Sequence, residues 1–347
     1  MSEAEQGEIV HDVAELESLL SNPSDAAVEA LSRVSGDIML LGVAGKIGPT
    51  LARMTRRGSQ NAGVDRRIIG VSRFSTADTD RDLNAHDVET IQGDLLDPEF
   101  IARLPDVPNI IYLVGMKFGA AEDQARTWAV NTYLPSLICN RFRSSRIVAL
   151  STGNIYGYVP TGGQGSRETD EPNPVGEYAM SCVGRERIFE YFSRTLGIPV
   201  ALIRLNYASE LRYGVLVDLA QQVHAGNDID VSMGYVNVIW QGDANAMILC
   251  ALADTDSPPF YLNVASPEIL GIRQVCEQLA SLMGKNVCFT GTESPDALLA
   301  NTEKGLGMYG QPKVNADQMT RWVAHWIGNG GPTLGKPTHF EARNGKF

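Results

Sequence analysis

The residues Asp37–Gly48, DIMLLGVAGKIG, give the strongest indication of the fold of this chain. Its apolar run is typical of a buried parallel strand, and the glycines that follow have the spacing G-x-x-G-x-x-G. Gly42 would allow a tight turn, Gly45 would let the backbone approach a pyrophosphate, and Gly48 would let helix and strand pack closely. The helix that begins near Pro49 would offer free N–H groups and its dipole to the phosphates. A tight turn without a ligand is the alternative. The residues predicted to hold a dinucleotide here are Gly42, Gly45, Lys46, Ile47 and Gly48.

From Asp37 onward, strand-like runs alternate with helical patterns, which favours an α/β, Rossmann-type doubly wound parallel sheet. The predicted strands are 67–72, 89–92, 109–114, 146–151 and 199–204, with short ones at 236–239 and 260–264. Two short helices, the second capped by Ser24, precede the first strand. We divide the chain into an N-terminal helical extension (1–36), a dinucleotide-binding Rossmann domain (37–205), a smaller C-terminal substrate-side subdomain interleaved with the core (206–330) and an irregular tail (331–347).

Composition narrows the class of protein. The chain has 347 residues and a net charge of −12, from 29 basic and 41 acidic side chains, which argues against nucleic acid or an anionic membrane as partner. The five cysteines form no C-x-x-C pair, and the histidines show no ligand spacing, so reduced thiols and no bound metal are expected. No segment reaches about 18 uninterrupted apolar residues, and the acidic N-terminus does not resemble an export signal. We therefore expect a cytoplasmic protein.

The end of the second strand bears on cofactor choice. An NAD site usually places a carboxylate there for the ribose 2′-hydroxyl, whereas this chain has Ser72 and Arg73. A guanidinium suits a 2′-phosphate, so NADP(H) is predicted, with NAD as the alternative if Arg73 is only a solvated charge. After the third strand, Asp94 and Leu95 could contact the adenine, or Asp94 could simply cap a turn.

Three segments resemble a known family. Ser151–Gly157 (STGNIYG) follows the fifth strand, Glu168–Pro172 (ETDEP) lies in the next loop, and Pro174–Cys182 (PVGEYAMSC) begins a helix. In order and spacing, residues 37–253 resemble an extended short-chain dehydrogenase/reductase of the NAD-dependent epimerase/dehydratase family.

The resemblance implies roles for particular residues. Tyr178 would be the acid/base and Thr152 would orient the substrate oxygen. Lys117 matches a lysine found after the fourth strand in related epimerases, and Asn131 matches a structural asparagine. The resemblance gives the site residues as follows: catalytic Ser151, Thr152, Tyr178, Cys182 and Lys117; cofactor-binding Val114, Gly115 and Asn131; substrate-binding Asn206, Tyr207 and Arg212.

The family pattern is broken at one position. Four residues after its tyrosine the family has a lysine, whose charge lowers the pKa of the tyrosine and binds the nicotinamide ribose. Here that position is Cys182, and a neutral thiol stabilises a phenolate poorly. Three interpretations stay open: redox chemistry assisted by the oxidised nicotinamide, Lys117 or Arg185; an elimination or epimerisation through a keto intermediate; or a dinucleotide-binding protein with little turnover. A packed thiol is the simplest account of Cys182 itself.

Together, these observations lead us to expect an NADP(H)-dependent oxidoreductase or epimerase/dehydratase-like enzyme. Its substrate would be a hydroxylated small molecule, with a sugar or sugar acid implied by the resemblance. The alternative is a catalytically impaired regulatory or scaffold protein that binds a dinucleotide. The resemblance also implies a homodimer, formed by helices near 120–139 and 178–194.

Overall fold

The structure is a computed structural model that describes residues 9–75, 77–117 and 119–345. The acidic residues 2–5 considered for export lie outside these ranges. The helices are α1 Val13–Leu20, α2 Asp25–Arg33, α3 Gly48–Asn61, α4 Ala77–Ala85, α5 Pro98–Ala102, α6 Gln124–Trp128, α7 Leu134–Arg141, α8 Gly176–Leu196, α9 Val215–Ala225, α10 Gln241–Cys250, α11 Ile272–Met283, α12 Glu303–Tyr309 and α13 Ala316–Gly328. The strands are β1 Ile38–Leu41, β2 Ile68–Ser72, β3 Glu89–Gln92, β4 Asn109–Tyr112, β5 Arg146–Thr152, β6 Val159–Pro160, β7 Val200–Leu205, β8 Ala208–Ser209, β9 Ile229–Asp230, β10 Tyr235–Val236, β11 Ile239–Trp240, β12 Phe260–Val264, β13 Leu270–Gly271, β14 Phe289–Thr290 and β15 Asp296–Ala297.

Seven of the strands form one parallel sheet in the order β12-β7-β5-β4-β1-β2-β3. The predicted Rossmann-type sheet is thus confirmed. Every residue of β1 is buried, because helices cover both faces of the sheet. The strand order reverses between β1 and β4, and ligands of such sheets bind at the carboxyl ends beside that point. The glycine stretch therefore begins where a ligand is expected.

Two helical layers flank the sheet. Apolar residues of α2, α3 and α10 pack on one face, among them Leu31, Leu51 and Met247. Side chains of α7 and α8, including Ile138 and Phe189, pack on the other. The predicted N-terminal helices are present, and Ser24 caps α2 by accepting a hydrogen bond from the backbone N–H of Ala27 at 3.2 Å.

The second half of the chain contributes to both parts of the molecule. Helices α9, α11 and α13 enclose a separate apolar core that contains Leu219, Leu279 and Trp322. By contrast, β12 pairs with β7 at the edge of the main sheet, and α10 covers that sheet. The residues beyond 206 are thus interleaved with the Rossmann core, because their strands and helices complete its edge and one of its faces.

Candidate active site

The glycine turn has the geometry that a dinucleotide phosphate needs. Gly42 has φ +86°, and a Cβ on Gly48 would come within 2.0 Å of the Val43 carbonyl oxygen, so both positions require glycine. Gly45 is exposed, and a Cβ there would have the Gly42 carbonyl oxygen, 3.3 Å away, as its nearest neighbour. Helix α3 starts at Gly48 after Ile47, whose apolar side chain cannot cap it. Its first N–H groups remain available, so these residues fit a phosphate.

The predicted adenine-ribose end lies at the tips of β2 and β3. Ser72 is half-buried and Arg73 is exposed, and the Arg73 carbonyl accepts a hydrogen bond from Gln92 at 2.9 Å. Asp94 accepts a hydrogen bond from the backbone N–H of Leu96 at 2.9 Å, so it caps a turn. Leu95 is buried in the core beneath the sheet. Ser72 and Arg73 therefore stand at the solvent side of this end, where a ribose phosphate would arrive.

Tyr178 and Thr152 lie together, as the resemblance implies. Thr152 ends β5, and the hydroxyl of Tyr178, in the first turn of α8, is hydrogen-bonded to the side chains of Thr152 and Cys182. Burial raises the pKa of Tyr178, and neighbouring Cys182 acts in the same direction, whereas Arg185 and the bond to Thr152 oppose the rise. The tyrosine is thus held in its protonated form.

Cys182 is fully buried in a small apolar cluster with Ile155, Tyr156 and Leu298. Burial raises the pKa of its thiol, while the charge of Arg185 and the hydrogen bond to Tyr178 lower it. The thiol therefore remains neutral and acts as a packed side chain that accepts a hydrogen bond.

Arg185 lies one turn further along α8 and is 4% exposed. Its guanidinium donates to the Leu150 carbonyl at 2.8 Å and to the Asn131 side-chain oxygen at 2.6 Å. A Cβ on Gly115 would come within 2.8 Å of the same guanidinium, so the loop after β4 passes directly over it. A fixed positive charge is therefore built in between β4, β5 and α8.

Asn131 joins these parts. It lies in a π-helical turn, Ala129–Tyr133, between α6 and α7, and such turns occur often at functional sites. Its side chain accepts from the Met116 N–H at 2.9 Å and donates to the Met116 carbonyl at 3.0 Å and to the Ser181 hydroxyl at 2.9 Å. It thus ties α8 to the loop that contains Val114 and Gly115.

Two lysines flank this centre. The Lys117 ammonium donates to the Thr338 carbonyl at 3.0 Å, and burial lowers its pKa to about 8. Lys46, in the glycine turn, lies 3.3 Å from the centroid of the Tyr213 ring. Burial, followed by the charges of Lys117 and Lys336, lowers the pKa of Lys46 to about 7. An anion bound between these lysines would relieve their mutual repulsion.

Ser151 belongs to a buried polar network. Its hydroxyl donates to Glu186 at 2.5 Å, and Glu186 forms an ion pair with Arg204 at 2.9 Å. Arg204 in turn donates to the Tyr156 hydroxyl at 2.7 Å, which donates to Asn263 at 2.8 Å. This network connects β5, α8, β7 and β12 beneath the site.

The three predicted substrate-binding residues have contacts within the chain. Asn206 is buried and donates to the Asn237 side chain at 2.7 Å, while Tyr207, with φ +42°, packs beside Tyr178 and Tyr158. Arg212 forms ion pairs with Glu17 at 2.7 Å and Glu210 at 3.0 Å, so its charge is balanced within the chain. Asn206 also lies next to Thr152, since a Cβ on the following residue, Gly153, would come within 2.7 Å of the Asn206 side-chain oxygen.

Some residues of the candidate site could not be recognised from the sequence. Glu186 and Arg204 look like ordinary helix and strand charges in the sequence, and only their 2% and 4% exposure reveals a buried pair. Asn263 and Thr338 are likewise brought to the site by the fold. Arg185 carries one usable signal, since its spacing of seven from Tyr178 places both on one helical face.

The residues that the structure describes carry three further features that bear on function. No group of three or more His, Cys, Asp or Glu side chains in them could hold a metal ion. None of the helices they contain is long and apolar enough to cross a membrane. The cysteines are all unpaired thiols, and Cys288 is the exposed one.

Comparisons with known proteins identify the family. Residues 38–247 match the model of the NAD dependent epimerase/dehydratase family. A GDP-6-deoxy-D-mannose reductase of Pseudomonas aeruginosa is 28% identical over 214 residues, which are 54% of this chain and 68% of the reductase.

Solved structures share the fold at low identity. UDP-glucuronic acid 4-epimerase of Bacillus cereus, crystallised with UDP-glucuronic acid and NAD, has a TM-score of 0.69 at 14% identity, covering 84% of this chain and 99% of its own. dTDP-glucose 4,6-dehydratase of Bacillus anthracis has a TM-score of 0.70 at 16% identity, with 85% and 97% covered.

Proposed function

The chain belongs to the NAD-dependent epimerase/dehydratase family of NAD(P)-dependent enzymes, and on that premise we propose that it is an NADP(H)-dependent oxidoreductase or epimerase/dehydratase acting on a nucleotide-activated sugar. The observation that carries this proposal is the Tyr178 hydroxyl, joined to Thr152 at the carboxyl end of β5. The sugar-nucleotide substrate is suggested by the reductase relative and by the sugar nucleotides bound to structural neighbours.

In this proposal the bound cofactor supplies the acceptor or donor of a hydride. Tyr178 holds or takes the proton at the reacting oxygen of the sugar, and Thr152 orients that oxygen by a hydrogen bond. Cys182 packs against the tyrosine and leaves its proton in place at neutral pH, because burial raises the pKa of both groups. Lys117 contributes a second donor at the same end of the sheet.

The positive charge normally supplied by the family's lysine would come from Arg185. Its guanidinium is anchored by Asn131 and the Leu150 carbonyl, and it favours the ionised form of Tyr178. Arg185 is therefore a positioning residue that acts through Tyr178. The charge has moved by one helical turn, from the fourth residue after the tyrosine to the seventh.

Cofactor selection is the finer part of the proposal. The glycine turn and α3 would hold the pyrophosphate, and Ser72 with the exposed Arg73 would hold a 2′-phosphate on the adenine ribose. A cofactor without that phosphate would lose the charge-assisted contact to Arg73. We therefore propose NADP(H) over NAD.

The test begins with a cofactor titration by fluorescence of the reduced nicotinamide. A screen of UDP-, dTDP- and GDP-sugars follows, with product detection by mass spectrometry. We expect turnover that falls about 100-fold or more in Tyr178→Phe, at unchanged cofactor affinity. Tyr191→Phe is the matched control, because Tyr191 lies on the same helix and is 61% exposed. Failure to bind either cofactor at millimolar concentration would contradict the proposal.

A second candidate is a dinucleotide-binding protein with little turnover. It is favoured by one observation: Tyr178 is hydrogen-bonded to a neutral thiol where the family has a lysine. In that case the same titration gives tight cofactor binding, and no sugar nucleotide in the screen is converted.

We also propose a homodimer formed by α6, α7 and α8. Large apolar side chains are exposed on this helical face, with Tyr133 54% and Met180 43% accessible. Burying such a patch against its copy removes apolar surface from water. Sedimentation equilibrium should give twice the chain mass of 37.6 kDa, and Tyr133→Glu should shift it to the monomer.

A further inference from the structure

The segment after α13, residues 331–345, runs back across the site, and we call it the C-terminal strap. Its first part is fixed: the Trp326 indole donates to the Pro332 carbonyl at 2.9 Å, and the Leu334 N–H donates to the Arg212 carbonyl at 2.9 Å. Gly335 follows, with φ +62°. The strap is thus anchored to the smaller subdomain up to a glycine that can act as a hinge.

Beyond Gly335 the strap touches groups of the candidate active site. The Thr338 carbonyl accepts the hydrogen bond from the Lys117 ammonium, and the Thr338 N–H and hydroxyl both donate to Asp218, at 2.7 and 2.6 Å. At its far end, a Cβ on Gly176 would lie 2.4 Å from the Gly345 carbonyl oxygen. Gly176 begins α8, two residues before Tyr178. The strap therefore meets both sides of the catalytic residues.

The strap also lines a cavity beside the candidate active site, between Asn154 and Val175. The cavity beside Tyr156, Tyr158 and Tyr207 is closed by Phe340, Ala342 and Gly345 of the strap. Its remaining volume is about 20 Å³, which is enough for about one water molecule. Pockets for ligands of this class measure several hundred Å³. A nucleotide sugar could not enter while the strap stays in place.

The contacts that hold the outer strap are few and mostly polar. Phe340 is its buried apolar anchor, at 3% exposure. Arg343 forms an ion pair with Asp296 at 2.5 Å and stacks on Tyr158, 4.0 Å from the ring centroid, but this pair is partly exposed to solvent. Partly exposed pairs contribute little, so release of the strap mainly requires Phe340 to leave its site and Thr338 to give up its hydrogen bonds to Asp218 and Lys117.

We propose that residues 336–345 are an intramolecular plug of the substrate pocket, which swings out at Gly335 when a nucleotide sugar binds. The proposal rests on the proposed function for the identity of the ligand. Plug release frees Lys117 from the Thr338 carbonyl at the moment when the substrate arrives. Part of the free energy of nucleotide-sugar binding is used to release the plug. The apparent affinity of the unchanged chain for this ligand is therefore reduced.

The first test needs no ligand. Native-state hydrogen exchange in increasing denaturant should show the Thr338 and Phe340 amides exchanging through a local opening, almost independently of denaturant. The Leu202 amide in the central sheet should exchange through global unfolding, and the Gly331 amide of the anchored part should be slower than that of Thr338. If Thr338 and Leu202 show the same denaturant dependence, the strap is a fixed part of the fold and the proposal is wrong.

The second test measures binding of UDP-glucuronic acid and UDP-glucose by calorimetry at saturating cofactor. Phe340→Ala should bind at least about tenfold more tightly than the unchanged chain. The milder variant Arg343→Ala should bind about threefold more tightly. Leu334→Ala, in the anchored part and 40% exposed, is the control and should bind as the unchanged chain does. Unchanged or weaker binding in both strap variants would overturn the plug. Local exchange of Thr338 with no binding by any variant would support the plug and reject the proposed substrate class.

Discussion

The ligand cleft has the glycine turn at one end and the start of α8 at the other, and the residues at these two ends are constrained differently. At the glycine turn, Gly42 and Gly48 are required by backbone geometry, and the sequence spacing alone predicts their conformations. At the start of α8, Tyr178 keeps its position beside Thr152, but its partner is Cys182 in place of a lysine. Backbone constraints leave few substitutes, whereas a positive charge can be supplied from more than one position. Glycines required by the backbone therefore identify a fold more directly than the loss of one charged side chain identifies a change in chemistry.

The largest effect is expected at the backbone-limited end. Gly48→Ala would place a Cβ within 2.0 Å of the Val43 carbonyl oxygen, so α3 must move away from β1. We expect a loss of about 3 kcal/mol in unfolding free energy and cofactor affinity reduced more than about 100-fold. Denaturant unfolding and nicotinamide fluorescence measure the two.

Gly45→Ala is the matched control in the same turn. Its Cβ would meet the Gly42 carbonyl oxygen at 3.3 Å, which a small adjustment accommodates. Stability should therefore remain within about 1 kcal/mol, and only the approach of the pyrophosphate should suffer. Equal destabilisation by both variants would break the distinction between packing and binding glycines.

The fold could be predicted because its buried strands have a local pattern that is visible in the sequence. Buried parallel strands are mostly apolar, so β1, β2 and β5 could be located from the sequence to within a residue or two. The edge position of β12 could not, because a short apolar run looks alike in a subdomain and in the main sheet. Pairing with β7 depends on contacts between distant residues, and no local pattern encodes them.

The next largest effect is expected at Arg185. Arg185→Met removes the charge that favours ionisation of Tyr178, so the turnover rate should fall about 100-fold and the limb of its pH profile that reports this ionisation should move to higher pH. Arg187→Met, an exposed arginine on the same helix, should change neither. Adding Cys182→Lys to Arg185→Met should partly restore the rate, since the charge returns to the family's position. An unshifted pH profile would show that Arg185 is only structural.

The same residues explain why the site was only partly predictable. Tyr178, Thr152 and Asn131 occur at characteristic spacings, and the structure places them within one hydrogen-bonded group that includes Ser181 and Arg185. Ser151 belongs to the buried pair of Glu186 and Arg204, which a sequence pattern cannot distinguish from solvated charges. Partners of a polar side chain are decided by tertiary packing, so their identity appears only in the fold.

A smaller effect should separate the two cofactors. Arg73→Ala should lower the preference for NADP over NAD about tenfold, because a charge-assisted contact to the 2′-phosphate is lost. Arg81→Ala, on the neighbouring helix α4, is the control. The ratio of the two dissociation constants, measured by fluorescence titration, decides the matter. A chain that prefers NAD, with no change on Arg73→Ala, would remove the argument for NADP.

The smallest expected effect is a change in the protonation of Lys46 when the cofactor binds. Its pKa in the folded chain is about 7, below the ordinary 10.5, because burial and then the charges of Lys117 and Lys336 disfavour the ammonium. Between about pH 7 and 10.5 the unfolded chain holds a proton that the folded chain lacks, so this group makes stability rise with pH in that window. A bound phosphate is an anion, so it stabilises the protonated ammonium form of Lys46. Cofactor binding at pH 8 should therefore take up protons, up to about one per chain, and its affinity should fall about fivefold from pH 7 to pH 8.

Calorimetry in buffers of different ionisation enthalpy measures this uptake directly. Lys46→Met should abolish most of it and flatten the pH dependence, while Lys285→Met, at an exposed position, should leave both unchanged. Uptake that persists in Lys46→Met would place the proton on Lys117, whose pKa of about 8 makes it the next acceptor. Because Lys117 donates a hydrogen bond to the strap, that result would couple proton uptake on cofactor binding to the strap, and the two ends of the cleft could no longer be treated as independent.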